Sequence, residues 1–159
     1  LLPNRTGGVV MQKNLESLGD IIYTEEEIEF AMQMQKENGK PTLGIDGKIR
    51  PLRETLESPG GGSTDVGDVS YNVPVVSLAA TTAPKGVPWH SWSVVASSGM
   101  SIGHKGMLHA TKALGMTMID IFKDKNLRDE IKKEFDERIG NYKYDPFLDP
   151  GPPPVDYVD

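Results

Sequence analysis

The apolar run at residues 73–80, Val-Pro-Val-Val-Ser-Leu-Ala-Ala, constrains the fold more than any other segment. It is continuous and rich in β-branched side chains, whereas a strand with one face in water alternates apolar and polar residues. A run that is apolar on both sides predicts a buried strand in a sheet that is covered on both faces. A second short apolar run follows at residues 94–96.

Apolar residues at helical spacing mark the segments on either side of this run. Thr24 and Glu27 have the spacing of a capping box. Helices that flank a few buried strands predict an α/β fold, with the helices packed on a small buried sheet. The helices are predicted over residues 9–18, 24–38, 103–122 and about 126–139. In the longest of them the predicted core stripe consists of Met107, Leu108, Leu114, Met118, Ile119 and Phe122.

Two stretches lie outside these elements. Residues 40–63 show no sustained period and include Gly60-Gly61-Gly62, so we expect a loop whose unusual length points to a functional role. From residue 145 the chain is rich in proline and is expected to be extended. The sequence therefore predicts one domain over residues 1–144 and a tail over residues 145–159.

The composition argues against several classes of protein. The 17 basic and 23 acidic residues give a net charge of −6 without a basic stripe, which disfavours a nucleic-acid binder. No apolar run approaches the roughly 20 residues needed to span a bilayer. The absence of cysteine excludes thiolate metal sites and fits a cytoplasmic protein. The chain starts Leu1-Leu2-Pro3-Asn4, without an initiator Met or a signal-like segment, so we expect it to be a piece of a longer polypeptide.

His90 is the first candidate functional residue. It lies in the loop Gly86-Val87-Pro88-Trp89-His90-Ser91 after the predicted strand, and α/β proteins bind ligands at the carboxyl ends of strands. A neutral imidazole is a common zinc ligand. No second ligand stands at a recognisable spacing such as His-Glu-x-x-His. Spacing alone therefore leaves open that Trp89 and Trp92 simply pack around a surface histidine.

Asp65 and Asp68 form a second candidate group. Two carboxylates three residues apart after a glycine run are suited to binding a metal or to orienting a substrate or a histidine. The glycines and the neighbouring amides are also suited to binding an anion. The alternative is an Asx turn that caps a helix. A phosphate-binding P-loop is excluded, because no Gly-Lys-Ser/Thr follows the glycines.

The segment Gly99-Met100-Ser101-Ile102-Gly103 matches the nucleophile elbow G-x-S-x-G. A serine hydrolase of that type needs an Asp and then a His further along the chain, but only His104 and His109 follow, both on the next helix. The triad order therefore fails within this chain. The two histidines are about 140° apart around a helix and cannot bind one ion together. We expect His104 to face the same cavity as His90, and His109 to be a packing or surface residue.

Taken in order, these motifs resemble the C-terminal half of the M20 family of metallopeptidases and amidohydrolases. Those enzymes have a Gly-Thr/Ser-Asp loop, a buried strand with Pro near its start and a His-Ser loop whose histidine binds metal. Many of them carry an acidic residue soon after that histidine, which residues 94–98 here lack. The resemblance reaches to about Phe122 and lies in Gly62-Ser63-Thr64-Asp65, Val73-Pro74-Val75-Val76, Gly86-Val87-Pro88-Trp89-His90-Ser91 and Ser101-Ile102-Gly103-His104-Lys105-Gly106-Met107.

The resemblance implies a zinc-peptidase-like catalytic domain interrupted by an inserted lid and dimerisation domain, with this chain as the part after the insertion. It implies two divalent metal ions, zinc or manganese, and His90 as one ligand. The general base and the other ligands would come from the missing N-terminal half of the domain, so no catalytic residue is expected in this chain. The residues expected to bind substrate or to support the metal ligands are Thr64, Asp65, Asp68 and His104, with Lys105 beside them.

The resemblance also implies hydrolysis of the amide bond of N-acyl or aminobenzoyl amino acids. The expected partners are such a small-molecule substrate, the missing half of the catalytic domain and a second copy bound through the lid domain. The chain alone is expected to be inactive, because a single ligand binds zinc weakly. The alternative is a non-catalytic binding or regulatory module that keeps the fold without a working metal site.

Overall fold

α-Helices and their connections make up the described part of the chain, which comprises residues 1–53, 64–146 and 151–152 of this computed structural model. α5 is the centre of the helical layer, because α1, α4 and α6 all pack against it, and α1 also packs against α6. Within the described ranges, no helix has both the length and the apolar character needed to cross a membrane. The helices are α1 (Arg5–Leu18), α2 (Glu25–Glu37), α3 (Val66–Ser70), α4 (Trp92–Ser98), α5 (Ser101–Lys123) and α6 (Lys125–Ile139).

Local capping fixes where the first two helices begin. The capping box of α2 is confirmed: the N–H of Thr24 donates to the Glu27 carboxylate at 2.7 Å, and the N–H of Glu27 donates to Thr24 Oγ1 at 3.3 Å. α1 begins earlier than predicted, because Asn4 Oδ1 accepts a hydrogen bond from the N–H of Gly7 at 2.9 Å. Such caps satisfy amide groups that the first turn of a helix leaves without partners.

Glu134 joins α6 to the start of α1. Its carboxylate oxygens accept hydrogen bonds from the N–H groups of Arg5 and Thr6, both at 2.7 Å, at the positive end of the α1 dipole. Burial opposes ionisation of Glu134, but these hydrogen bonds and one from Arg138 outweigh it and lower its pKa to about 2. The α1–α6 contact thus depends on an ionised carboxylate.

The predicted α/β fold is wrong for the described residues, which contain no strand. Residues 73–80 run without a regular partner, and residues 94–96 lie inside α4. A β-branched apolar run favours an extended backbone, but a sheet needs a second strand to share the ladder of hydrogen bonds. Within the described ranges, no second extended segment lies beside residues 73–80 to supply that ladder, so they do not form a strand.

The predicted core stripe of α5 is also wrong. Its six residues are between 41% and 75% exposed, whereas Ile102, Ala113 and Thr117 of the opposite face are buried. The spacing identified residues that share one face, but an apolar face is buried only if another element covers it. The apolar core of the described residues consists instead of Met11, Ala31, Met34, Val87, Ile102, Ala113 and Ile131.

The predicted loop over residues 40–63 and the predicted tail over residues 145–159 lie only partly within the described residues. Residues 40–53 of the predicted loop contain no helix or strand, while residues 54–63, with the triple glycine, lie outside the described residues. Most of the predicted tail, residues 145–159, lies outside them as well. The division into a domain over residues 1–144 and a tail stays a prediction.

Candidate functional site

His90 stands in the left-handed region of the backbone map, with φ 60°, and is the one described non-glycine residue with a positive φ. This conformation costs an L-residue roughly 1–2 kcal/mol, and histidine is among the few types that adopt it with some frequency. Strain of this kind persists only when the surrounding structure imposes it, and it concentrates at functional sites. The geometry therefore marks His90 independently of its sequence motif.

The tryptophans beside His90 do not bury it. Trp89 is 70% exposed and Trp92 is 59% exposed, and the His90 side chain is itself exposed. Among the described residues, no hydrogen bond holds the imidazole ring. All three side chains are exposed, so the alternative of a surface histidine between two tryptophans stays open.

Gln35 of α2 holds the chain on the N-terminal side of His90. Its side chain is fully buried, and Nε2 donates hydrogen bonds to the carbonyl oxygens of Gly44 and Lys85, both at 2.8 Å. Oε1 accepts a third hydrogen bond from the N–H of Gly44 at 2.8 Å. The buried amide therefore has partners for both of its polar ends, which makes it a rigid anchor for the segment that leads to His90.

Asn38, at the end of the same helix, holds the C-terminal side. Its Nδ2 donates to Ser93 Oγ at 2.6 Å, and Ser97 Oγ donates to the Ser93 carbonyl at 2.7 Å. Ser91 Oγ closes the turn by donating to the Pro88 carbonyl at 2.6 Å. The C-terminal end of α2 thus fixes the chain on both sides of His90.

The other predicted group lies on and beside the short helix α3. Thr64, Asp65 and Asp68 are all exposed. Thr64 Oγ1 accepts a hydrogen bond from the N–H of Val66 at 3.3 Å, while Asp65, at the N-cap position, makes no side-chain cap. Asp65 therefore does not form the Asx turn and helix cap that the sequence offered as the alternative; the hydroxyl of Thr64, one residue earlier, accepts the hydrogen bond from Val66.

Asp68 faces a segment that sequence reasoning assigned no role. Desolvation and a hydrogen bond with the Asp68 carboxylate raise the pKa of the Tyr144 hydroxyl. Nearby, the rings of Tyr71 and Tyr142 pack with their centroids 5.1 Å apart and their planes tilted by 56°. The chain after α6 therefore packs against α3 through aromatic residues.

Lys105 is engaged in an ion pair between α5 and α2. Its Nζ donates to the Glu27 carboxylate at 2.6 Å and to the Ile22 carbonyl at 3.0 Å. Burial opposes ionisation of Glu27, but hydrogen bonds from Lys105, Ser101 and Thr24 outweigh it and lower its pKa to about 2. This ion pair joins α5 to α2. His104, its neighbour, is exposed on the first turn of α5.

Tyr23 completes this cluster. Lys105 Nζ lies 5.5 Å from the centroid of its ring, a distance at which a cation is attracted to the π-face. Burial, followed by the carboxylates of Glu27 and Asp46, raises the pKa of Tyr23 to about 12. The phenol therefore stays neutral throughout the physiological pH range.

The described residues do not assemble a complete metal site. No hydrogen bond joins His90 to Thr64, Asp65, Asp68 or His104, and no three or more His, Asp or Glu side chains of the described ranges lie close enough to hold an ion. The roles assigned to these residues from the sequence stay predictions. Gln35 and Asn38 were assigned no role at the site from sequence, because their partners Lys85 and Ser93 lie 50 and 55 residues further along the chain.

Comparison with known proteins finds similarity to a subunit of a hydrolase. The chain is 33% identical over 167 aligned residues to one of the subunits of p-aminobenzoyl-glutamate hydrolase from Escherichia coli (strain K12). The alignment covers 90% of this chain and 35% of that relative, so the chain spans about a third of the relative's length. No protein-family model matches the chain, and no solved structure gives a significant match.

Proposed function

We propose that this chain forms part of a metal-dependent amidohydrolase that cleaves the amide bond of p-aminobenzoyl-glutamate or of a related N-acyl amino acid. The observation that carries the proposal is the 33% identity to the E. coli p-aminobenzoyl-glutamate hydrolase polypeptide over 90% of this chain. The M20-like order of motifs supports the same class of enzyme. The other ligands and the general base would belong to the part of the larger protein that these residues do not represent.

His90 is the residue we assign to the metal. Its imidazole is exposed, its backbone has a positive φ, and the Gln35 and Asn38 contacts hold the chain on either side of it, which suits a ligand aimed at a shared site. A bound zinc or manganese ion would activate water and polarise the substrate carbonyl. The geometry supports one ligand from this chain, in a site that would hold two ions.

Thr64, Asp65, Asp68 and His104 are assigned to the substrate or to the support of the ligands. All are exposed on elements that neighbour the His90 loop in sequence, and Asp65 makes no cap that would account for it structurally. The proposed partners are a small-molecule N-acyl amino acid and the rest of the catalytic domain. Dimerisation through a lid domain is part of the same proposal.

The test is a chimera in which this chain replaces the matched 35% of the E. coli relative. Its bound zinc and manganese are measured by mass spectrometry, and its hydrolysis of p-aminobenzoyl-glutamate is followed by release of glutamate. We expect metal binding and hydrolysis, and we expect His90→Gly to remove at least half of the metal and to slow hydrolysis at least about 100-fold. His109→Gln, on the middle of α5, is the matched control and should change neither.

Glycine is the informative replacement at position 90, because it removes the imidazole and the left-handed strain together. His90→Gly should be more stable than His90→Ala by about 1 kcal/mol in urea unfolding. A loss of metal in a variant that is no less stable cannot be attributed to unfolding. If the folded chimera bound no metal and did not hydrolyse the substrate, the chain would instead be a non-catalytic module. If His90→Gly left metal and hydrolysis unchanged, His90 would not be a ligand.

A further inference from the structure

A cleft lies between α1, residues 46–53 and residues 77–87, and its volume is about 1390 Å³. Small-molecule sites in proteins have volumes of roughly 300–1,000 Å³, so this space is large enough for an N-acyl amino acid. Trp89, which directly precedes His90 in the chain, is part of the lining. A ligand in the cleft can therefore extend to the loop that carries the residue we assign to the metal.

The charge of the cleft is opposite to that of the chain. The whole chain has 17 basic and 23 acidic residues. Within the described part of the chain, the lining has one carboxylate, that of Asp46, and six basic side chains, which are Arg5, Lys48, Arg50, Arg53, Lys85 and Arg138. A cleft lined by charges of one sign attracts ligands of the opposite sign. The lining therefore favours an anionic ligand.

Two of these cations already have a carboxylate partner. Arg50 Nη2 donates to the Asp46 carboxylate at 3.1 Å. Arg138 Nε donates to the Glu134 carboxylate at 2.8 Å. Because these ion pairs are formed within the chain, Arg50 and Arg138 contribute less to the attraction of a ligand than a cation without such a partner.

Lys48 and Lys85 are the cations that remain available. Both are exposed, and neither has a carboxylate within ion-pair distance among residues 1–53 and 64–146. They lie near each other, because a hydrogen bond from the Lys48 N–H, a hydrogen bond from Arg50 and the charge of Lys85 together lower the pKa of Asp46. Two ammonium groups thus lie on one side of the cleft, where a ligand carboxylate can pair with them.

The residues on and beside α3 that we assign to the substrate do not supply this charge. Thr64 is neutral, and Asp65 and Asp68 are carboxylates, which repel a carboxylate of the ligand. The glutamate part of p-aminobenzoyl-glutamate has two carboxyl groups, and both are ionised at neutral pH. A site for such a dianion needs cations, which the cleft has.

We propose that this cleft binds the carboxylates of the substrate's amino acid part, and that Lys48 and Lys85 select an acidic amino acid over a neutral one. The substrate class is then an N-acyl glutamate or an N-acyl aspartate. The inference rests on the proposed function in one respect, because the carboxylates belong to the substrate proposed there. It assigns specificity to residues that lie outside the motifs of the M20 resemblance.

The experiment measures the binding of p-aminobenzoyl-glutamate to this chain by isothermal titration calorimetry in metal-free buffer. The matched ligand is p-aminobenzoyl-glutamine, in which an amide replaces the side-chain carboxylate. We expect the glutamate compound to bind at least about tenfold more tightly. We also expect its affinity to fall at least about fivefold when the salt concentration is raised from about 0.02 M to about 0.3 M, because salt screens exposed charges. Hydrolysis is not a readout.

The double substitution Lys48→Glu and Lys85→Glu tests the two cations. It should weaken binding of the glutamate compound at least about 30-fold and reduce the preference over the glutamine compound to less than about twofold. Lys112→Glu with Lys143→Glu is the control, because it changes the net charge by the same amount at exposed positions outside the cleft, and it should change the affinity less than about threefold. Circular dichroism checks that both variants are folded.

A milder pair of substitutions keeps the test valid if the charge reversal disturbs folding. Lys48→Gln with Lys85→Gln removes both charges without adding a carboxylate, and it should weaken binding at least about tenfold. The proposal would be overturned by equal affinity for the two ligands, by no binding up to about 10 mM, or by an equal loss of affinity in the cleft variant and the control.

The cleft proposal and the proposed function can fail separately. Charge-dependent binding by this chain, together with a chimera that hydrolyses no substrate, would support the cleft and count against the proposed function. A chimera that hydrolysed the glutamate and the glutamine compounds with equal kcat/KM would support the proposed function and overturn the role of Lys48 and Lys85.

Discussion

The two faces of α5 differ in the opposite sense from most helices. The face towards the rest of the described chain buries one large apolar residue, Ile102, and otherwise small or polar residues, Gly103, Gly106, Ala113 and Thr117. The face towards solvent carries the large apolar side chains. The inner contacts therefore combine close backbone approach and hydrogen bonds with one large apolar side chain, Ile102, whereas most of the large apolar side chains of α5 lie on the outer face.

The inner face uses its small residues in two ways. A methyl group at Gly106 would overlap the Thr81 carbonyl, and one at Gly103 would overlap the backbone of Ser98, so both glycines allow a contact that alanine would block. Further along, Asn14 Nδ2 of α1 donates to Thr117 Oγ1 at 3.0 Å and to Asp120 at 2.9 Å. Shape and polarity thus specify how α5 packs, together with the apolar area of Ile102.

The largest expected effect is that of a single methyl group on the inner face. Gly106→Ala should destabilise the chain by about 3 kcal/mol, because the overlapping atom belongs to the backbone and cannot move aside cheaply. Gly115→Ala is the matched control: it has open space around it in the same helix and should stabilise by about 0.5–1 kcal/mol. Urea unfolding of both variants measures the difference. Equal effects would show that α5 does not approach residue 81 closely.

The second-largest loss of stability is expected when the charge of Lys105, which pairs with Glu27, is removed. Lys105→Met should cost about 2 kcal/mol, because it leaves Glu27, 6% exposed, without its ion-pair partner, while the one-third exposure of Lys105 moderates the loss. Lys112→Met, at an exposed position of the same helix, should change stability by less than about 0.5 kcal/mol. If Lys105→Met were equally mild, the α2–α5 contact would not depend on this pair.

Low pH should weaken the contacts that the carboxylates of Glu27 and Glu134 make. The folded pKa of Glu27 is lowered from 4.5 to about 2, so its contribution is present above pH 4.5 and is lost as the pH falls towards 2. Glu134 behaves in the same way. The stability difference between wild type and Glu27→Gln should shrink by on the order of 1–2 kcal/mol across this window. A difference that did not change with pH would mean that Glu27 is not ionised by its partners.

The smallest effect on the stability of the chain alone is expected from substitutions on the outer face of α5. Met118→Ala and Ile119→Ala should each change its stability by less than about 0.5 kcal/mol, since both side chains are more than half exposed. Ile102→Ala, on the buried inner face, should cost about 3 kcal/mol by comparison. A large loss from Met118→Ala at low protein concentration would show that the stripe is already covered within this chain.

The same contrast explains what the sequence could and could not predict. The capping box at Thr24 and the extents of α2, α5 and α6 follow from local patterns, which act within a few residues. The strand at residues 73–80 and the core stripe did not follow, because pairing and burial require a second element. Periodicity states which residues share a face but not what covers it.

At the candidate site, too, local sequence predicted some features and missed those that depend on contacts between distant residues. His90 was identifiable from its loop and motif, but its left-handed backbone was not, because a histidine in a loop does not by itself predict a positive φ. Gln35 and Asn38 are far along the chain from their partners near His90, and no local pattern predicts such a contact. Lys105 was placed beside the site by its motif, yet its role here follows from Glu27, far away in sequence.

The most direct test of this account is amide hydrogen exchange of the chain alone at low protein concentration. We predict that the amides of residues 75–80 exchange within a factor of about ten of their intrinsic rates, while those in the middle of α5 are protected at least about 1,000-fold. Strong protection of residues 75–80 in the absence of any partner would contradict the account, because it would show that the extended segment already has a strand beside it.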